Sequence, residues 1–369
     1  MKKKVAIAIS GGVDSSVSAW LLKEQGYELI ALHMKLYHGV EGEKQRAKSC
    51  CALDEARSAR AVCEQLELPF YVLDFQDEFQ DSVIQYFVDE YVSGRTPNPC
   101  VMCNRAFKSH YLLQQAQDLG CDFLATGHYA RTALDPSGRT QLLQAKDAHK
   151  DQSYFLHGID AEDLSHFLFP LAEYQKSEVR DLAEQQGFVS AKKPESQDIC
   201  FVNSNYRDFL KTQFVNVPAK GDFVDTEGNI LGTHNGLPFY TIGQRRGLGI
   251  SDATPYYVVH LNTEKNQVIL GKNEDLFSQN LWVSETNWIS IPPPQKSLTA
   301  RVQLRYSHSG ASATLHPEDS QRVYVEFDEP QRAVAPGQAA VFYHGDVLLG
   351  GGWIETKRRK ESGNSIMKK

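Results

Sequence analysis

The chain opens on an apolar run, Val5-Ala6-Ile7-Ala8-Ile9, whose β-branched and alanine content reads as a buried parallel strand. Val17 to Gly26 follows as an amphipathic stretch closed by glycine, the pattern of a helix and its C-cap. The alternation continues. Leu29 to Met34 and Phe70 to Asp74 read as the second and third strands, with a polar loop from Glu41 to Lys48 and a helix from about Cys50 to Glu67 between them. Asp77 to Val92 has helical spacing, Gly94-Arg95-Thr96-Pro97-Asn98-Pro99 breaks it, and Asn104 to Leu119 resumes it. Phe123 to Thr126 is a further strand ending at Gly127-His128-Tyr129, and Tyr174 to Gly187 one more helix. This order predicts an α/β domain: an open parallel sheet, helices on both faces, ligands beyond the C-terminal strand ends.

After Asn205 the period shortens. Gly221 to Asp225 and Gly228 to Gly232 read as a hairpin, and Tyr256 to Leu261 and Gln267 to Leu270 as further strands. Beyond Pro292-Pro293-Pro294, alternating runs at Ala300–Tyr306, Arg322–Phe327 and Ala339–Tyr343 with Pro-Gly turns fit a small β-barrel. The expected division is an α/β domain over 1–205, a β-rich central domain over 206–280 and a C-terminal barrel over 281–369.

The 369 residues suffice for two or three domains, and a net charge of -7 argues against indiscriminate nucleic-acid binding without excluding a local basic face. No apolar run approaches membrane-spanning length, and Met1-Lys2-Lys3-Lys4 leads into the first strand with no signal-peptide core. A cytoplasmic enzyme is expected, with no membrane partner. The seven cysteines are an odd number that argues against a disulfide framework. Cys50, Cys51, Cys63 and Cys121 fall in or beside regular elements, and Cys63 and Cys121 read as buried thiols.

The chemistry starts at Ser10-Gly11-Gly12-Val13-Asp14-Ser15-Ser16, between Ala8-Ile9 and the first helix. Two glycines at a strand-to-helix turn admit a close ligand, and helix-start N–H groups with serine hydroxyls suit an anion. Asp14 beside phosphate calls for an intervening Mg²⁺. The string lacks the Walker lysine and is not GxGxxG. SGGVDSS resembles the signature of the PP-loop ATP pyrophosphatases, an adenine nucleotide alpha hydrolase-like fold, which implies ATP with Mg²⁺ and the run from Ala8 and Ile9 to Ser16 as its binding residues. In that light Met34 resembles an adenine contact and Gly127 a second glycine beside the nucleotide. His128 reads equally as a structural histidine or as a polar substrate contact.

Cys100-Val101-Met102-Cys103 falls just before an expected helix, where the dipole favours a thiolate nucleophile; shared metal binding is the alternative, although zinc needs four ligands. Cys200 lies in a turn-rich segment able to present a reactive thiol. SGGVDSS, TPNPCVMCN, ATGHYA, KDQSYFL, PESQDICFV and NGLPFYTIGQRRGLG, in this order over nearly the whole chain, resemble the tRNA-specific 2-thiouridylase family. The resemblance implies ATP-dependent adenylation of the C2 oxygen of the wobble uridine (position 34), followed by sulfur substitution. It implies Cys103 as nucleophile and Cys200 as persulfide carrier, with a Cys103–Cys200 disulfide formed and reduced each turnover. Asn98, Pro99 and Cys100 would touch the target base. Lys150, Asp151, Gln152 and Gln338 resemble tRNA contacts. Arg245-Arg246 between glycines and the pair Arg305-Tyr306 suit RNA phosphates and a stacked base, and His128 joins this tRNA-binding set. The implied partners are tRNAs for lysine, glutamate and glutamine and a persulfide donor or relay protein.

Members often carry aspartate where this chain has Cys100. The change adds a third cysteine, so Cys100, Cys103 and Cys200 could instead hold a [4Fe–4S] cluster. Two other classes remain: a PP-loop amide ligase or amidotransferase, which leaves the cysteines idle, and a nucleotide-switched RNA-binding protein without catalysis. The basic tail Lys357-Arg358-Arg359-Lys360 reads as a solubilising end.

Overall fold

The computed structural model describes residues 2–37, 53–193, 199–202, 205–213 and 218–356. The predicted loop at Glu41–Lys48, Cys50, Cys51, the Pro194–Asp198 part of PESQDICFV and the basic tail lie outside the described residues.

β1 (Lys4–Ala8) leads through the glycine turn to α1 (Val13–Glu24), then β2 (Glu28–Lys35), α2 (Leu53–Gln65) and β3 (Phe70–Asp74). A second helical stretch runs as α3 (Gln76–Phe79), a π-helical segment and α4 (Gln85–Val92). A third starts at α5 (Pro99–Met102), passes through a long π-helical segment at Cys103–Leu112 and ends as α6 (Leu113–Asp118). β4 (Phe123–Ala125) follows, then β5 (Arg131–Leu134), β6 (Thr140–Leu143), the single turn α7 (Ser153–Leu156), β7 (Phe167–Leu168), α8 (Lys176–Gln185) and α9 (Tyr206–Gln213).

The first sheet has the order β3-β2-β1-β4-β7 and is parallel throughout. Both faces are buried, which is why β1 carries no polar residue after Lys4. Val5 and Ile7 pack with α1, α2 and α8 through Val17, Leu21, Val62 and Val179. Ala6 points the other way, into a cluster that holds Leu112, Leu113 and Ala116 together with the barrel residues Val341 and Tyr343. The second face is thus covered partly by a helix and partly by another domain.

The central sheet contains β8 (Gly221–Val224), β9 (Ile230–His234), β10 (Tyr257–Asn262) and β11 (Gln267–Gly271) in the order β10-β11-β8-β9. Phe223, Val258, Val268 and Leu270 share one cluster with Phe79, Phe87 and Phe107 of the first domain. The last region comprises β12 (Phe277–Asn287), β13 (Leu298–Gln303), β14 (Ala311–Pro317), β15 (Val323–Arg332), β16 (Ala339–His344) and β17 (Val347–Ile354). These pair antiparallel in the order β12-β15-β14-β13-β16-β17, and β12–β17 pairing closes the barrel. Val283, Val302, Leu315, Val325 and Phe342 fill its interior.

Two features differ from the sequence expectation. The hairpin β5–β6, absent from it, adds to the barrel by pairing Leu142 with Leu348 and Leu143 with Val347. Its short strands carry no clear period of their own and take their order from β17. The helix expected from Asn104 begins at Pro99, because Asn98 caps it and proline suits the first helical position.

Candidate functional site

The turn after β1 is built from its own hydrogen bonds. Ser10 N donates to Ser15 Oγ at 3.2 Å, while the Ser15 and Ser16 hydroxyls donate to Gly12 O at 3.1 and 2.8 Å. Ser15 and Ser16 are buried, and their hydroxyls shape the loop. Gly11 sits at φ +82°, and a Cβ there would lie 2.3 Å from Glu55 O, so α2 alone demands glycine. α1 starts at Gly12 with no side-chain cap, leaving its first N–H groups to the mouth of the turn. Ser10 is exposed there, Ala8, Gly12 and Asp14 are half-buried, and Ile9 and Val13 are core. Met34 at the end of β2 and Gly127 beyond β4 reach the same sheet edge, both half-buried.

Asp14 is met by protein cations and donors. Lys176 Nζ donates to both carboxylate oxygens at 2.7 Å, and Tyr129 Oη donates to Oδ1 at 2.9 Å. Lys176 is buried at the start of α8, whose capping box pairs Gln175 with Glu178. Its N–H donates to Asp147 Oδ2 at 2.9 Å. Lys193 Nζ, 3.4 Å from Gly11 O and 2.6 Å from Ser58 Oγ, brings a second ammonium to the loop. The sequence alone assigns no site role to either lysine or to Tyr129; Tyr129 lies in the ATGHYA string, and the capping box marks the helix start at Lys176.

The cysteine helix lies at the same end of the sheet. Asn98 Oδ1 accepts from Val101 N at 3.3 Å. Asn98 and Pro99 are buried and Cys100 is exposed, so of the expected base-contacting triplet Cys100 alone faces outward. Cys103 lies inside the helical stretch, one turn from its start, rather than before it. Cys103 and Cys200, both half-buried, pack against one aromatic cluster containing Phe79, Phe87, Phe107 and Phe201. Cys63 and Cys121 are buried as expected, and burial pushes the Cys63 thiol up to about 12, keeping it neutral and inert. Among the described residues no three His, Cys, Asp or Glu side chains gather as a metal-ligand set.

The expected RNA contacts divide. Arg245 and Arg246 are exposed. Tyr306, 42 % exposed, lies on Phe155 at 4.5 Å between ring centres, which brings Arg305-Tyr306 of the barrel beside the 150–156 segment. Lys150 is half-buried. Asp151 is buried and accepts from Ala145 N, Ser153 N, Ser153 Oγ and Gln144 Nε2 at 2.8 to 3.3 Å, so it fastens a turn. Gln152 Oε1 accepts from Tyr129 N at 3.0 Å. Gln338 Nε2 donates to two carbonyls of the Thr96-Pro97 turn. His128 is buried too, with Lys108 Nζ 3.1 Å from Nε2 and Thr126 Oγ1 2.8 Å from Nδ1. An ammonium only donates, so Nε2 accepts and Nδ1–H donates to Thr126. Burial first, and Lys108 second, hold its pKa well below the usual histidine value.

A family model described as the tRNA methyl transferase HUP domain matches residues 3–204, the accompanying PRC-barrel domain matches 207–272, and an aminomethyltransferase β-barrel domain matches 278–354. The tRNA-specific 2-thiouridylase MnmA of Symbiobacterium thermophilum is 47% identical over 359 residues, 96% of this chain and 92% of that protein. The chain belongs to the tRNA-specific 2-thiouridylase family. Other 2-thiouridylases lie at similar distance: that of Clostridioides difficile is 44% identical across 96% of this chain and 99% of its own length. That of Carboxydothermus hydrogenoformans is 45% identical across 96% and 98%. Among solved structures, the U34-tRNA thiolase NcsA from Methanococcus maripaludis with its [4Fe–4S] cluster is 25% identical at a TM-score of 0.34, covering 57% of this chain and 64% of its own. That likeness is too slight to carry an argument. Membership in the 2-thiouridylase family accounts for the parallel HUP sheet, the central β-rich domain and the closed barrel together.

Proposed function

We propose that this chain uses ATP to replace the C2 oxygen of the wobble uridine of tRNA with sulfur. The observation that carries the reading is the convergence of Cys103 and Cys200, far apart in sequence, on one aromatic cluster in a chain that also holds the glycine turn. The turn, with Ser10, the first N–H groups of α1 and the ammonium groups of Lys176 and Lys193, takes the triphosphate; Met34 and Gly127 flank the nucleoside. The uridine C2 oxygen attacks the α-phosphorus, pyrophosphate leaves, and C2 now bears AMP as a leaving group. The outer sulfur of a Cys200 persulfide attacks C2 and AMP departs. Cys103 thiolate then attacks Cys200 Sγ, releasing 2-thiouridine and leaving a Cys103–Cys200 disulfide for an external thiol to reduce. The exposed thiol of Cys100 borders the base, Arg245, Arg246, Arg305 and Tyr306 hold the RNA, and the uridine is splayed out of its loop.

The proposed substrates are tRNAs for lysine, glutamate and glutamine, with a persulfide donor or relay protein, in the cytoplasm. The chain divides for these tasks at about residues 205 and 280, with the hairpin β5–β6 contributed to the barrel by the first part. The test is a single-turnover reaction on metal-stripped, reduced protein with Mg²⁺, ATP, unmodified tRNA and a persulfide donor, read by mass spectrometry. AMP, pyrophosphate and 2-thiouridine are expected, with thiouridine lost on Cys103→Ser or Cys200→Ser. Absence of AMP from the wild-type protein would sink the reading. Thiouridine that requires anaerobic iron–sulfur reconstitution would replace the persulfide step.

A further inference from the structure

The segment carrying Cys100 and Cys103 is held from outside its own domain. Thr96 N donates to Pro336 O at 2.7 Å, and Gln338 Nε2 donates to Thr96 O at 3.1 Å and Pro97 O at 3.0 Å. Gly337, at φ +86°, permits the approach: a Cβ there would lie 2.7 Å from Glu90 Oε2 and 2.9 Å from both Arg95 Cβ and Thr96 O. Behind the turn, Arg95 pairs with the buried carboxylate of Glu90, and Arg95 N donates to Glu90 O at 2.8 Å.

The barrel side is fixed as well. Gly337 N donates to Ile354 O at 3.0 Å, and Ile354 N donates to Gln338 O at 2.9 Å, so the backbone of Gln338 is tied to β17. The Nε2 group has two hydrogens, and both meet successive carbonyls of one turn. The residue after that turn is Asn98, the cap of the helix that places Cys100 at its second position and Cys103 one turn on. Tyr154 Oη donates to Ala339 O at 3.1 Å, one residue beyond Gln338. Hydrogen bonds join barrel to turn, and the turn runs directly into the cap of the cysteine helix.

We propose that Gln338 is a positioning residue: from the barrel it sets the start of the cysteine helix, and thereby the presentation of Cys103, before any RNA is bound. This role is carried by its amide N–H groups, which are already engaged in the protein, and is separate from any contact of its side-chain oxygen with RNA. The proposal takes from the functional reading only that Cys103 is the reacting thiol.

The test compares wild type, Gln338→Leu and Gln338→Glu in two assays. The first is iodoacetamide alkylation of the RNA-free, ATP-free protein across pH, resolved by site with mass spectrometry. The second is steady-state thiolation with kcat and KM for tRNA separated. Loss of two hydrogen bonds is expected to change the Cys103 alkylation rate by about threefold or more and to lower kcat about tenfold, with KM held within about twofold. Gln338→Glu, which turns a carboxylate on two carbonyls, is expected to exceed Gln338→Leu. Alkylation of the urea-denatured protein gives the reference for complete labelling at each thiol, and a circular dichroism melt confirms folding. A raised KM with unchanged alkylation and kcat would make Gln338 an RNA contact and overturn the proposal. Unchanged alkylation and kinetics in both variants would overturn it equally. The alkylation arm needs neither ATP nor tRNA, so it decides the proposal even if the wild-type protein makes no thiouridine.

Discussion

The nucleotide turn and the cysteine helix lie at the same end of one sheet and are built in opposite ways. The turn closes on itself through Ser10, Gly12, Ser15 and Ser16, with tertiary partners arriving at Asp14 and Gly11. The cysteine helix has a local cap in Asn98, but its position is set by the barrel at 336–338 and by the aromatic cluster beneath Cys103. A site assembled by neighbouring residues is legible as a motif. A site assembled by a distant domain couples that domain to the chemistry.

The largest effect expected from breaking this contrast is at Lys176. Lys176→Met removes a buried ammonium from the nucleotide turn and leaves Asp14 with Tyr129 as its donor. Pyrophosphate release should fall by about 100-fold, with tRNA affinity in a gel-shift assay unchanged and partial recovery in Lys176→Arg. Equal rates in Lys176→Met and wild type would remove the lysine from the phosphate site.

Acid should act on the barrel side of the comparison. His157, buried next to Trp353 and donating from Nδ1 to Tyr154 O at 2.8 Å, has its pKa lowered by burial from 6.5 to about 4. Because the folded value lies below the unfolded one, its stabilising share is complete above about pH 6.5 and is lost as pH falls towards 4, on the order of 3 kcal/mol. Buried His128 shifts in the same direction. Urea midpoints between pH 7 and 4 check this, and His157→Gln should flatten the acid limb. A limb of the same slope in His157→Gln would assign it elsewhere.

Smaller effects are expected where RNA is held. Tyr306→Ala uncovers Phe155 and should cost about 1 kcal/mol of stability by urea unfolding. Arg245→Ala and Arg246→Ala alter exposed side chains and should leave stability within about 0.5 kcal/mol while lowering the salt slope of tRNA binding by about 1 each. Unaltered slopes would take the glycine-rich loop off the RNA path.

Much of the fold was legible because both faces of the first sheet are buried. The β-branched runs of β1 and β2 stand out on composition alone, and the amphipathic period of α1 locates the turn between strand and helix. Asn98-Pro99 held the signal for the early start of the cysteine helix, a capping residue before a helix-starting proline. The hairpin β5–β6 was illegible because its order comes from pairing with β17, more than two hundred residues away. Among site residues, the internal hydrogen bonds of Asp151 and His128 were not legible, since an acceptor or an imidazole in a motif carries no mark of which way it points.

By itself the sequence determined the α/β domain and the β-rich regions after it, the glycine turn at the head of α1, and the cysteines available for chemistry. These follow from periodicity, from chain reversals that need glycine or proline, and from residue types whose reactivity is intrinsic. The tertiary structure alone decided that Lys176 meets Asp14, that Cys103 and Cys200 share one aromatic wall, and that the barrel grips the turn before the cysteine helix. Each of these is a contact between segments with no local reason to meet. It exists only once burial of the sheet faces has brought them together.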